Sequence, residues 1–471
     1  MKMLIAGKWI DKKEKIEVRD PYDDSLVDTV PSGDAADIKA AVTAAEEGYR
    51  INRNLPVHER IRILSKAADI IAERGEDFAR TIAMEGSKTI REARKEASRC
   101  VDTMRISAEE ARRVSGETIP FDSRPGSENR VGYYFRFPIG IIAAITPFND
   151  PLNLVAHKVG PAIAGGNAVV VKPATVTPLS ALKLAQALMD AGLPANILNV
   201  VTGYAAKTGD ALVTDPRVRM ISFTGGAPAG EEIMKKVGLK KVGMELGSNT
   251  PVIVCDDCDL KRAVEDSVSG AFWAAGQNCI GVQRIYIEEG IYKRFETLFV
   301  ARTRTYKVGP KLEEDCDMGP MITEGEAKRI ESWVKDAVKA GAKVLTGGKR
   351  RGAIYEPTVL ADVPAGCTID VEEVFAPTVN LYPVKDLDEA IAKANSVNFG
   401  LHAGIFTKDV NKAFKAIKEL EVGGIIVNDS SDYRIDMMPF GGVKRSGLGR
   451  EGIKFALMEM TEPRVVCFNL Y

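Results

Sequence analysis

Between residues 140 and 247, five short apolar segments (GIIAAITP, NAVVVKP, NILNVVTG, VRMISFTG and VGMELG) alternate with helix-like stretches and short connections. That rhythm constrains the chain more than anything else in it. Continuous apolar runs suit strands buried on both faces, and helical links between them make neighbouring strands run parallel. A doubly wound parallel sheet follows. The helix over 178–191 is marked at both ends, with Thr177 predicted as N-cap, Pro178 in the first turn and Gly192 past the last. A second α/β succession runs from about 250 to 445: VIVCDD, a helix over 260–275, the strand RIYI, a helix from 290, and later GGIIVND.

Outside these units, residues 56–116 carry apolar positions at helical spacing among many charges. NRVGYYFRFP (129–138) is aromatic and β-rich, and so is the tail TEPRVVCFNLY. Strand edges need partners, so these two arms are expected to pair with each other or with a neighbouring subunit. A chain of 471 residues exceeds a single core and predicts two or three domains. The net charge of -1 offers no general attraction to nucleic acid or anionic membrane. No apolar run reaches the ~20 residues of a membrane span, and the start lacks a signal-peptide core. A cytoplasmic protein is expected.

The seven cysteines show no disulfide framework. Cys255 and Cys258 form a C-x-x-C pair, but the flanking aspartates oppose thiolate chemistry and no histidine completes a metal site. They read as structural, and no metal is expected. A literal G-x-G-x-x-G at Gly447–Gly452 is a decoy, since no strand leads into it and no βαβ unit follows. Phe223-Thr-Gly-Gly226 is better placed, because it joins a strand to a helix whose N-terminus can cradle a diphosphate.

Seven motifs stand in order along the chain: Thr146-Pro-Phe-Asn149, Lys172-Pro, Phe223-Thr-Gly-Gly226, Glu245-Leu-Gly, Gly276-Gln-Asn-Cys279, Glu373-Val-Phe375 and Pro439-Phe-Gly-Gly442. Together they resemble the aldehyde dehydrogenase superfamily over essentially the whole chain. The resemblance implies an α/β fold of that type. Residues 1–118 and 139–247 would form the dinucleotide-binding domain, 248–445 the catalytic domain, and 119–138 with 459–471 a β-rich oligomerisation arm. A homodimer or homotetramer is implied.

The chemistry fits the residues. An aldehyde carbon expels hydride only after a nucleophile has added to it, and a thiolate is suited to that addition and to the thioester that follows. The resemblance makes Cys279 the nucleophile. It assigns the oxyanion site to the Asn149 side chain with the Cys279 backbone N–H, and the base for thioester hydrolysis to Glu245. For the cofactor it implies Lys172 and Glu373 at the two riboses, Phe375 against the nicotinamide, and Gly225 and Gly226 at the diphosphate. Thr146, Pro147, Phe148, Gly203, Gly209, Phe223, Thr224 and Leu246 complete that set. Many NAD-preferring members carry a glutamate three residues after the lysine, where this chain has Thr175. With no carboxylate against a 2′-phosphate, NADP is favoured, with NAD also accepted.

Gly-Ser-Asn in Glu245-Leu-Gly-Ser-Asn249, and Asp429-Ser-Ser-Asp-Tyr-Arg434, resemble the lactaldehyde and phosphonoacetaldehyde dehydrogenase subset, whose substrates are small and often anionic. Candidate substrate cations are Arg105, His157, Arg284 and Arg434. For Arg105 the alternative is a surface pair with Glu109, and for Arg434 an internal pair with Asp432 or Asp436. Succinate-semialdehyde and non-phosphorylating glyceraldehyde-3-phosphate dehydrogenase are alternative activities. A binding protein on the same scaffold is the non-enzymatic alternative.

Overall fold

A computed structural model describes residues 1–471. The five apolar segments form the middle of an eight-stranded sheet. Its parallel core runs Leu198–Val200, Ala168–Lys172, Ile141–Ile145, Val218–Thr224 and Lys241–Glu245. In sequence, the chain first builds outward from Ile141–Ile145 in one direction. It then returns to place Val218–Thr224 on the other side, with Ile145 beside Phe223. The carboxyl ends of these two strands therefore diverge at a switch point, where α/β sheets form binding crevices. The loops leaving them are Thr146–Asn149 and Thr224–Gly226.

The second sheet has seven strands, ordered Lys343–Thr346, Thr358–Ala361, Thr378–Val384, Arg284–Glu288, Pro251–Val254, His402–Phe406 and Gly424–Val427. Only Lys343–Thr346 runs antiparallel to its neighbour. The two arms do pair with each other, from Thr461 opposite Pro138 to Asn469 opposite Arg130. Glu117–Ile119 adds a third strand. No helix is long and apolar enough to cross a membrane.

Three expectations need correction. The helix spans Leu179–Asp190, but Thr177 does not cap it, and its buried hydroxyl has no partner. The cap is the Glu85 carboxylate, which accepts from the Leu179 and Ser180 N–H groups at 2.7 and 2.8 Å. Carboxylates suit helix N-termini, and this one arrives from a distant helix. The helix expected over 260–275 ends at Phe272, because Trp273–Gly276 winds into a turn with left-handed residues. Finally, Gly447–Leu448 does enter a strand, as a short antiparallel edge beside Met244 and Glu245.

Candidate active site

The Cys279 loop leads into Arg284–Glu288, and the Glu373–Phe375 segment leads into Thr378–Val384. Both therefore lie at the amino edge of the second sheet. A cavity of about 880 Å³ separates them from the carboxyl edge of the first. Its walls include Thr146, Pro147, Phe148 and Asn149, the segment Phe223–Gly226, Glu245 and Leu246, and Cys279, Glu373 and Phe375. A second cavity of about 390 Å³ lies on the other side of the cysteine. Cys279, Asn149 and Leu154 line both.

The turn before Cys279 is strained. Ala274, Ala275 and Gly276 have φ of 50°, 55° and 69°. The left-handed conformation costs an alanine roughly 1–2 kcal/mol. Contacts on every side hold it: the Ala274 N–H donates to Glu92 at 2.9 Å, and a Cβ on Gly276 would sit 2.1 Å from the Ala376 carbonyl. The Gln277 amide donates to the Ala274 carbonyl at 3.0 Å and accepts from the Ile322 N–H at 2.9 Å. The Gly-Gln of the motif thus aims the cysteine.

Cys279 is half-buried, and burial pushes its thiol up to about 12 despite the lowering influence of Arg434. Glu245 ends its strand with Oε2 buried and unpartnered. Burial, and then the charge of Glu451, hold its carboxyl well above the ordinary range. Glu451 itself overcomes burial through Lys158 at 2.7 Å, His157 and Arg434, and falls to about 2. Two buried carboxyls in one neighbourhood are thus driven apart in proton affinity.

The larger cavity has the features a dinucleotide needs. The helix Ala227–Met234 opens onto it from Gly226 with no side-chain cap, leaving its first N–H groups for an anion. A Cβ at Gly225 would lie 2.6 Å from the Phe223 ring, and one at Gly247 would lie 2.3 Å from Glu373. Glycine at both positions is required by packing against the protein's own side chains. Glu373 accepts from the Ser248 N–H at 2.9 Å, and burial raises its pKa to about 7. The Thr146 hydroxyl is buried and unpartnered. Phe375 holds a φ of 43°, unusual for an aromatic residue, and packs edge-on to Phe148 at 5.8 Å. Lys172 is buried with only the Pro173 carbonyl as partner, and burial lowers its pKa to about 8. Like Lys172, Thr175 and Gly203 lie off this cavity's lining, and these two bond to each other, hydroxyl to carbonyl, at 3.1 Å. Gly209 sits part-exposed in the helix Ala205–Thr214.

The four candidate substrate cations separate. Arg434 lines the smaller cavity, its side chain 8% exposed and stacked 3.7 Å from the Phe440 ring centre. Its carboxylate contact is Glu451 at 3.5 Å rather than Asp432 or Asp436. His157 lies fully buried behind it, bonded to Asp436 at 2.8 Å and 3.5 Å from Arg434. Arg284 does not reach either cavity. It is fully buried and donates to the carbonyls of Asn249, Lys393 and Ala394, which ties the cysteine loop to the sheet. Arg105 is half-exposed on an outer face, facing Asp69 at 3.5 Å, and Glu109 pairs with Arg113 instead.

Lys88, Lys95 and Arg99 line the smaller cavity and were missed from sequence. Lys95 and Arg99 share one helix face at i, i+4. Arg105 is six residues past Arg99, about 240° further round the helix. The i, i+4 pair of cations was the available signal. Cys255 and Cys258 are buried in the second unit, their thiols pushed by burial up to about 12 and about 11.

Residues 9–466 match the aldehyde dehydrogenase family. Aspartate-semialdehyde dehydrogenase 1 of Pseudomonas canavaninivorans is 50% identical over 455 residues, covering 97% of this chain and 97% of that protein. The 3-sulfolactaldehyde dehydrogenase of Priestia aryabhattai is 46% identical over 468 residues, covering 99% and 98%. The crystal structure of the NADP-dependent glyceraldehyde-3-phosphate dehydrogenase from Bacillus halodurans C-125 complexed with NADP aligns with a TM-score of 0.97 at 38% identity. That alignment covers 100% of this chain and 99% of the other. A family match over nearly the whole chain, with relatives at half identity, leaves one conclusion: the chain belongs to the aldehyde dehydrogenase family, enzymes that oxidise aldehydes with NAD(P).

Proposed function

We propose that this enzyme oxidises a small anionic or hydroxylated aldehyde to its acid, with Cys279 as nucleophile, Glu245 as base and Asn149 as oxyanion donor. One observation carries the reading: Cys279 and Asn149 line both cavities, so a carbon bonded to that sulfur stands at their junction. The names of the relatives and of the solved structure add support, since aspartate semialdehyde, 3-sulfolactaldehyde and glyceraldehyde 3-phosphate all carry an anionic group.

A thiol held near 12 is scarcely ionised at neutral pH, so its proton must leave as sulfur attacks. Glu245, with its raised proton affinity on the same cavity wall, takes that proton. The sulfur–carbon bond forms, and the carbonyl oxygen becomes an oxyanion held by the Asn149 amide and the Cys279 N–H. The bound dinucleotide supplies the acceptor for the hydride that this carbon then releases. Glu245, having passed its proton to solvent, next deprotonates a water that adds to the thioester. The carbon–sulfur bond breaks, and the acid departs.

Gly225, Gly226 and the N–H groups beyond them would hold the diphosphate, and Lys172 and Glu373 the riboses. Phe375 would shape the nicotinamide end. Thr175 places no carboxylate against a 2′-phosphate, which favours NADP while leaving NAD usable. We assign the cofactor domain to 1–118 and 139–247, the catalytic domain to 248–445 and the arm to 119–138 and 459–471. Val131, Phe135, Val465 and Phe468 are exposed on that arm, in keeping with a homodimer or homotetramer. Seven free cysteines suit the reducing cytoplasm.

The test is absorbance of the reduced nicotinamide over a panel of phosphonate, sulfonate, carboxylate and neutral aldehydes, with a substrate-like electrophile as a label. Turnover of anionic members and labelling at Cys279 are expected. Equal rates with neutral aldehydes of the same length would remove the anionic part of the reading, and labelling elsewhere would remove the nucleophile.

A further inference from the structure

Thr89-Ile-Arg-Glu92 opens the helix Ile90–Ala111 with a capping box. The Thr89 hydroxyl accepts from the Glu92 N–H, and Glu92 Oε2 accepts from the Thr89 N–H at 2.8 Å. A capping box needs only one oxygen of its glutamate. The other, Oε1, accepts from the Ala274 N–H at 2.9 Å, 182 residues away, in the strained turn before Cys279. Burial pushes the proton affinity of Glu92 up, and those two N–H groups and Lys88 oppose the rise.

One turn further along the same helix face, Glu96 reaches the other loop of the site. The helix Asn153–Ala164 begins just past Asn149 and has no side-chain cap at Leu152. Glu96 Oε1 accepts from the Leu152 and Asn153 N–H groups at 2.8 and 3.0 Å, and Glu96 Oε2 accepts from Lys88 at 2.8 Å. Lys88 in turn pairs with Asp150, the chain neighbour of Asn149. Glu92, Glu96 and Lys88 are each at most 5% exposed, so these contacts are shielded from water.

Cys279 and Asn149 stand on loops of different sheets, so neither sheet by itself fixes the distance between them. One helix that holds both loops does, since residues four apart lie about 6 Å apart along its axis on one face. Resting on the reading of Cys279 as nucleophile and Asn149 as oxyanion donor, we propose that Glu92 and Glu96 are positioning residues for the oxidation. Glu92 sets the pose of the thiol, and Glu96 that of the amide. Neither lines either cavity, and each acts through backbone N–H groups. Misplacing an oriented group by about 1 Å costs on the order of a hundredfold in rate.

The experiment compares Glu92→Asp and Glu96→Asp in the full-length enzyme, with Thr89→Ala as the control. An aspartate at the same position completes the capping box of the helix Ala35–Asn54, so Glu92→Asp keeps cap and charge but falls one methylene short of Ala274. Two reactions are followed: aldehyde oxidation, and alkylation of Cys279 by iodoacetamide, which forms a carbon–sulfur bond with loss of iodide and no oxyanion. Glu92→Asp is expected to lower kcat about tenfold or more, and to change the alkylation rate as well. Glu96→Asp should lower kcat by a similar factor and leave alkylation at its wild-type rate. KM for the dinucleotide should hold in both, and Thr89→Ala should lower Tm with kcat unchanged. Wild-type kcat in either aspartate variant, or unchanged alkylation in Glu92→Asp, overturns that residue's assignment. A kcat loss in Thr89→Ala equal to theirs reduces both residues to helix caps and overturns the proposal. Where an aspartate variant does not fold, the glutamine variant at that position replaces it, with one acceptor oxygen in place of two. Labelling of the wild type at a cysteine other than Cys279 overturns the nucleophile reading instead, so the two failures are told apart.

Discussion

The two cavities that meet at Cys279 are built from different materials. The larger is made of backbone and small residues: Gly225, Gly226 and Gly247, an uncapped helix start, and two aromatic rings. The smaller is made of long charged side chains, Lys88, Lys95, Arg99 and Arg434 against Asp150, Asp429 and Asp432. A wall of backbone tolerates little sequence change where a Cβ would strike a neighbour, as at Gly225 and Gly247. A wall of side chains is retuned by one substitution at a time. The difference separates what is general to the chemistry from what is particular to the substrate.

The sharpest break falls on the thiol the two cavities share. Cys279→Ala is expected to lower aldehyde oxidation by about a thousandfold or more, while dinucleotide binding, measured by fluorescence titration, persists. Retained oxidation would show that the junction is not where chemistry occurs.

Next is Glu245→Gln. Steady-state turnover should fall by roughly a hundredfold, and rapid mixing should show the first burst of reduced nicotinamide slowed as well, because the same carboxyl takes the thiol's proton before hydride leaves. A burst at its wild-type rate followed by a stalled thioester would confine the carboxyl to hydrolysis and give the thiol's proton to another acceptor.

Arg434→Ala probes the charged wall alone. KM for an anionic aldehyde should rise about tenfold, matching about 1.5–3 kcal/mol for a charged hydrogen bond. A neutral aldehyde of equal length should be affected less. Equal losses would mean that the arginine acts through Glu451 and Phe440 rather than through the substrate.

The smallest effect is expected beyond the backbone-built cavity, at a residue off its lining. Thr175→Glu should shift the ratio of kcat/KM for NAD over NADP towards NAD by several-fold, by setting a carboxylate against the 2′-phosphate. An unchanged ratio would assign cofactor choice to another residue.

The same contrast explains what could be read from the chain. Buried strands announce themselves through local apolar runs, and the loops at their ends carry short motifs, so much of the larger cavity's lining was legible, although Lys172, Thr175, Gly203 and Gly209 lie off it and Arg329, Trp333 and Arg445 line it unannounced. Cations on a helix give no local sign of where they point. Arg105 and Arg99 look alike in sequence, and only the packing of that helix turns Arg99 to the cavity and leaves Arg105 facing Asp69. Arg284 drew attention by its place near the cysteine, yet its role is to gather carbonyls from segments about 35 and 110 positions away. Thr177 had the right chemistry for a cap, and Glu85 took the position from another helix. Each miss concerns a contact between segments far apart in the chain, where local propensity is silent.

Glu245 is bordered by Gly447, and its proton affinity is raised by Glu451, both from near the end of the chain. During synthesis the cysteine emerges well before either of them. A nascent chain therefore carries its thiol before the residues that raise the proton affinity of Glu245 have been made, and the carboxyl's surroundings are among the last parts of the site to be completed.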